Sequence, residues 1–375
     1  MFMDVSSEAI HALLPVYLTT VLGLSAAAIG IIEGFAEATT LAVKIFSGAM
    51  SDWLGRRKLP TLIGYGLAAA TKPVFALATG PVLVVAAHLV DRFGKGVRGA
   101  PRDALIADLT PPQQRGAAFG LRQALDTIGG VVGPLAAVAL MLASGDDFRL
   151  VFALAILPAL LSVGTLALFV PADRATPHAA EFPLSRAAAR QMPREFWIVV
   201  ALGAGLAAVR VAEAFLVLRA TGLELDAAWA PLVLVAMSVV YGAGAYPAGA
   251  LSDKFSTRTM VVAAFAALCA ADALLAGATS LPVFFCGVAM WGAHMALSQG
   301  LFAKLVADTA PETLRGTAFG LFNIASAVAL VIGNSAFGFL WAAQGAPFAY
   351  AAAGIGALAV ALAAFLALTP PVKRD

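Results

Sequence analysis

Apolar stretches long enough to cross a bilayer recur about every 25 to 35 residues along this chain, and that recurrence leaves few folds open. A segment surrounded by lipid must satisfy its own backbone N–H and C=O groups, so it forms a helix or joins a closed barrel. The chain is 61% hydrophobic and 12% charged. Ala, Leu and Gly fill the apolar stretches, which do not alternate polar with apolar residues as barrel strands do. The fold class expected is therefore an all-α membrane protein.

Twelve spans are expected, at 3–22, 26–50, 60–79, 82–107, 115–142, 149–170, 195–218, 227–250, 259–278, 281–306, 314–342 and 347–369. The polar stretch "PADRATPHAAEFPLSRAAARQMPRE" begins at Pro171 and divides them. This predicts an N-terminal six-helix bundle over 1–170, a linker over 171–194 and a C-terminal six-helix bundle over 195–375. Thirteen Lys and Arg residues fall in loops on one side, and Arg149 and Arg219 on the other. The bias places the linker and both termini in the cytoplasm of an inner-membrane protein. No cleavable signal peptide is expected, because the first apolar stretch holds Asp4 and Glu8 and leads into the fold.

The two halves repeat one another. "SGAMSD", ending at Asp52, returns as "AGALSD", ending at Asp253, and "ADLTPPQQRGAAFGL" (107–121) returns as "ADTAPETLRGTAFGL" (307–321). Matches at corresponding places in two halves mark a duplication. Parallel repeats related by a pseudo-two-fold axis, with an aqueous site between them, suit a rocking transporter.

At these residues the chain resembles the major facilitator superfamily along its whole length. "GAMSDWLGRRK" (48–58) resembles the family's gating motif, "RFGKGVRG" (92–99) its fourth-span pattern, and "GGVVGP" (129–134) the Gly-Pro motif shared with exporters. "DVSSE" and "GKGVRGAPRDALIAD" are similar to strings of one prokaryotic subgroup. The resemblance implies alternating access and gating roles for Gly48, Asp52, Gly55, Arg56 and Arg92. It also implies a first span that starts well before Asp4, so either the start is truncated or the inner half of span one is short. Asp52, at a helix end, is expected to face the positive N-terminus of another helix near Thr313 and to latch one conformation.

Charges at membrane depth are expensive unless they face protein or water. In span four, Asp91, Lys95, Arg98 and Arg102 stand at i, i+4, i+7 and i+11, on one helical face, with Arg92 a quarter-turn away towards a neighbouring helix. Span five adds Arg122 and Asp126, and span seven adds Arg210 with Glu213. The candidate substrate-binding residues are Asp91, Lys95, Arg98, Arg102, Arg122, Asp126 and Arg210. Salt bridges that fix helix packing are the alternative role. Candidate proton carriers are Asp4, Glu8, Glu33, Glu37 and Glu213, and an acid left without a basic partner is the stronger candidate. Across the repeat, Trp291, Met295, Ser298 and Phe302 replace the four span-four charges, and Phe322 and Ser326 replace Arg122 and Asp126. Chemistry is therefore expected in the N-terminal half. His294 and Met290, one turn apart, have a soft-metal spacing but suit packing better.

No phosphate-cradling Gly-Lys-Ser/Thr loop and no nucleophile–base constellation occurs, so neither an ATP-driven pump nor an enzyme is expected. The function expected is a proton-coupled secondary transporter of a small anionic solute or an anionic metal chelate. Its alternatives are a proton-driven exporter of hydrophobic drugs and, from another class, a lipid flippase or an intramembrane enzyme. Expected partners are the solute, the bilayer and protons. Neither a cofactor, a resident metal nor nucleic acid is expected, and a monomer should suffice.

Overall fold

The computed structural model describes residues 1–171, 189–252, 254–311 and 314–368, apart from the side chains of 49, 52, 112, 115 and 116. Helices joined by short turns make up these residues, with no strand among them. In chain order the helices of the first half are α1 (Phe2–His11), α2 (Leu14–Val16), α3 (Ala26–Leu54), α4 (Lys58–Leu77), α5 (Pro81–Leu109), α6 (Arg115–Ser144), α7 (Phe148–Leu154) and α8 (Ile156–Phe169). The second half has α9 (Arg194–Val209), α10 (Glu213–Thr221), α11 (Leu232–Ser252), α12 (Thr257–Gly277), α13 (Leu281–Thr309), α14 (Arg315–Gln344) and α15 (Ala346–Ala367).

Among the described residues, nine helical stretches are long and apolar enough to cross a membrane. The segments expected as spans one, three and four are helical but fall outside the nine. Span one is broken: Pro15 lacks an N–H and opens α2, and a π-helical turn follows at Tyr17–Val21. Thr19 and Thr20 hydroxyls donate to the Pro15 and Val16 carbonyls of that segment, at 2.9 and 2.7 Å. In α4, Lys72 precedes an internal proline, Pro73. In α5, the charges from Asp91 onwards lower the apolar content.

Two compact units emerge. One holds Met1–Leu24, Phe35–Pro183 and Asp226–Val235, and the other Ser25–Gly34, Leu184–Leu225 and Ala236–Asp375. Each thus takes in one short segment from the opposite half of the sequence. Within the second unit, Gly30 and Gly34 of α3 lie against the α14 backbone at Asn334 and Val331, where a Cβ has no room. Aromatic rings fill both cores. Tyr17 meets Phe152 at 5.3 Å in the first, and Phe337 meets Phe215 at 4.7 Å and Tyr350 at 5.0 Å in the second.

Arg149 and Arg219 do similar work in the two units. Arg149 donates to the carbonyl of Ala78, just past α4, at 3.3 Å. Arg219 donates to Leu275 and Ala278, at the end of α12, at 3.1 and 2.5 Å. Each satisfies carbonyls that a helix C-terminus leaves without intrahelical partners.

Candidate functional site

The charged side chains of the first unit form two linked clusters on α5. The first lies around Asp91, which is 1% exposed. Lys72 of α4, fully buried, places its Nζ 2.7 Å from Asp91 Oδ1 and donates to Ser7 Oγ of α1 at 3.0 Å. His11 Nε2, also from α1, lies 3.2 Å from Asp91 Oδ2, and His88 packs edge-on against the His11 ring at 5.3 Å. Glu8 stands within electrostatic reach of Lys72. Glycine makes this compactness possible. A Cβ on Gly64 would sit 2.7 Å from the Gly94 carbonyl oxygen, so α4 and α5 touch backbone to backbone.

The second cluster lies about two to three turns further along α5. Arg98 is buried, with its guanidinium 4.7 Å from the Tyr65 ring centre and 3.9 Å from Asp4. Arg102 approaches Asp103 at 3.4 Å and Asp126 of α6 at 3.5 Å. Arg122 of α6 donates to Asp103 at 2.7 Å and lies 3.6 Å from Asp126. Lys95, between the two clusters and half-buried, makes no ion pair among the described residues and acts on Asp4 only at longer range.

The expected single face of α5 therefore divides by depth: Asp91 and Arg98 are buried, Lys95 and Arg102 half-buried. Arg92 ion-pairs with Glu37 of α3 at 3.0 Å. Glu33 is 7% exposed. In the second unit, Arg210 ends α9 and holds its guanidinium 5.7 Å from the Trp291 ring. Glu213 opens α10, and Asn334 Oδ1 accepts the Ala212 N–H at 2.7 Å in the break between α9 and α10.

At the loop expected to gate, a Cβ on Gly48 would lie 3.2 Å from Ala100 Cβ, and Gly55 takes a left-handed φ of 60° just after α3. Arg56 is exposed. Arg57 donates to Ser51 at 2.8 Å, and Lys58 donates to the Ala167 and Val170 carbonyls at 2.9 and 2.6 Å. The Asp52 side chain, Asp253 and Thr313 lie outside the described residues, so the latch expected between them has no geometry to report.

The repeat partners of the α5 charges are packed away: Trp291, Met295, Ser298 and Phe302 are all buried. His294 is buried with Nδ1 2.7 Å from the Ala264 carbonyl oxygen. No cluster of three metal-ligating side chains occurs among the described residues. Both cysteines are free thiols. Sequence reasoning passed over Ser7, Tyr65, His88, Asp103, Asp272 and Asn334. For Asp272 a signal existed: it is the one charged residue in the run Val261–Gly277.

The family profile described as "Major Facilitator Superfamily" matches residues 1–231 and 215–375. The uncharacterised MFS-type transporter MJ1317 of Methanocaldococcus jannaschii is 26% identical over 347 residues, covering 90% of this chain and 85% of the relative. The multidrug resistance protein MdtH of Cronobacter sakazakii is 33% identical over 150 residues, 40% of this chain and 36% of the relative. A crystal structure of the nucleoside transporter NupG superimposes with a TM-score of 0.81 at 14% identity, over 98% of this chain and 99% of the other. With the family profile matched across the chain and the fold shared end to end, the chain belongs to the Major Facilitator Superfamily of transporters.

Proposed function

We propose that this chain is a proton-coupled secondary transporter that moves a small anionic solute, or an anionic metal chelate, across the inner membrane by alternating access. The observation that carries this is Lys95. Asp4, Asp103 and Asp126 lie beside Arg98, Arg102 and Arg122, acid for base. With the Met1 ammonium also 2.8 Å from Asp4, the cations outnumber the acids, and Lys95 is the one without an ion pair among the described residues. A half-buried ammonium without a carboxylate partner suits a transient anionic one, and the neighbouring guanidiniums offer planar, bidentate donors to the same anion. Twelve spans in two six-helix bundles, 1–170 and 195–375, would carry the motion. The linker 171–194 and both termini would lie in the cytoplasm, and one copy of the chain would suffice.

A hydrophobic substrate is the second reading, favoured by an apolar groove of about 490 Å³ lined by Val43, Phe46, Met50, Trp53, Phe93 and Val97. The name of the relative MdtH points the same way.

Metabolite profiling of a deletion strain beside an overexpressing strain separates the two. The expected result is an anion whose ratio between cells and medium moves in opposite directions in the two strains. A neutral or cationic apolar compound behaving that way would transfer the assignment to drug export. The topology has its own check: a single cysteine at 147 should react with an impermeant maleimide from outside, and one at 186 only after the membrane is opened. The reverse pattern would invert the orientation.

A further inference from the structure

We infer that Asp272 is a proton-binding site of the second unit, occupied by its proton at rest. This deepens the proton coupling proposed above and depends on it for its role in transport, though not for its chemistry. Asp272 lies on α12, five residues from its last residue, Gly277, which puts it about 8 Å along the axis from that end. It is 1% exposed, and neither carboxyl oxygen has a hydrogen-bond partner among the described residues. It sits against α15, where a Cβ on Gly354 would come within 3.2 Å of Asp272 Cβ.

The duplication explains how the site became solitary. The residue 200 positions earlier is Lys72, which is held by Asp91. In the second half the basic member has become an acid, and the position of Asp91 is taken by Trp291. The pair has been replaced by one carboxyl group and an indole. An ionised carboxylate in that setting would have neither a counter-charge nor a donor, and burying an isolated charge is far more costly than burying its neutral form.

The groups around it are few. Tyr350 of α15 is fully buried, its hydroxyl also lacks a partner among the described residues, and it lies within electrostatic reach of Asp272 and Arg219. Arg219 of α10 is committed to the Leu275 and Ala278 carbonyls. Cys269, on the same helix, points its thiol at the Gly354 carbonyl at 3.5 Å. From α13, His294 is bound beside Ala264, about 12 Å along the α12 axis from Asp272. No neighbour therefore neutralises the carboxylate, and the Tyr350 hydroxyl makes no hydrogen bond to it among the described residues. Release is a simple exchange: the carboxyl O–H bond breaks, the proton leaves to water, and the negative charge stays on Asp272 until another proton arrives.

Infrared spectroscopy of the purified protein in lipid vesicles tests this directly. At neutral pH the wild type should show a protonated-carboxyl stretch that is lost in Asp272→Asn and shifts on transfer to D₂O. Asp272→Asn should also unfold at the wild-type temperature, because the amide closely matches the neutral acid in shape. A spectrum unchanged by the substitution would overturn the proposal, and so would a band that ignores D₂O, since a sealed carboxyl exchanges with nothing. A wild-type protein that shows the exchangeable band yet moves solute without protons would remove the coupling proposed above and leave the proton site standing.

Discussion

Asp91→Asn should destabilise this protein by about 3–5 kcal/mol, because it strands the Lys72 ammonium in a fully buried site with no other acid at contact distance among the described residues. Lys72→Met should do less damage, because Asp91 keeps His11 Nε2 at 3.2 Å. The double variant Lys72→Met/Asp91→Leu should recover most of the loss, since removing both charges removes the unpaired one. The Arg57–Asp108 pair supplies the contrast. It spans 3.5 Å with the Asp108 side chain 45% exposed, so Asp108→Asn should change stability by no more than about 1 kcal/mol. Thermal unfolding of the purified variants in one detergent reads all four. Equal shifts for Asp91→Asn and Asp108→Asn would mean that the buried pair does not form.

This core illustrates what could be read from the residues alone. The helices, the duplication and the family were legible because they rest on local composition and on strings that recur at fixed distances. The charged face of α5 was legible too, since i, i+4 and i+7 spacing follows from helix geometry. What stands opposite that face was not. Lys72 and His11 arrive from α4 and α1, and their depth depends on the backbone contact at Gly64 and Gly94, which no periodicity announces. One stripe therefore became two environments, with Asp91 and Arg98 packed in protein while Lys95 and Arg102 keep partial exposure. Asp272 is masked for a related reason: its repeat position in the first half holds Lys72, so the charge is reversed across the duplication. The exchanged segments Ser25–Gly34 and Asp226–Val235 were hidden because the sequence divides cleanly at its polar linker while the packing does not.

The second large effect concerns transport. Arg98→Ala should abolish it, and Arg98→Lys should weaken it roughly ten- to a hundredfold, the scale of losing charged hydrogen bonds worth about 1.5–3 kcal/mol. Lysine keeps the charge of Arg98 but not the plane that lies over Tyr65 at 4.7 Å. Because Arg98 is buried, part of its effect will be on packing. Lys95→Ala separates the two. Its side chain is half-buried and without an ion pair among the described residues. Its removal should leave the unfolding temperature unchanged while lowering solute affinity by at least about tenfold. Uptake or efflux kinetics set beside unfolding curves for the three variants would show whether the cations act on solute or on structure. Transport retained in Lys95→Ala and Arg98→Lys together would assign the α5 charges to helix packing.

The most direct measurement is made in vesicles reconstituted with the wild-type protein, loaded with a pH indicator and supplied with the anion found by profiling. An imposed pH gradient should drive the anion against its own concentration gradient, with the internal pH changing in step. Both signals should vanish when a protonophore is added, and Lys95→Ala should lower both at least about tenfold. Anion movement indifferent to the pH gradient and to Lys95→Ala would contradict the account.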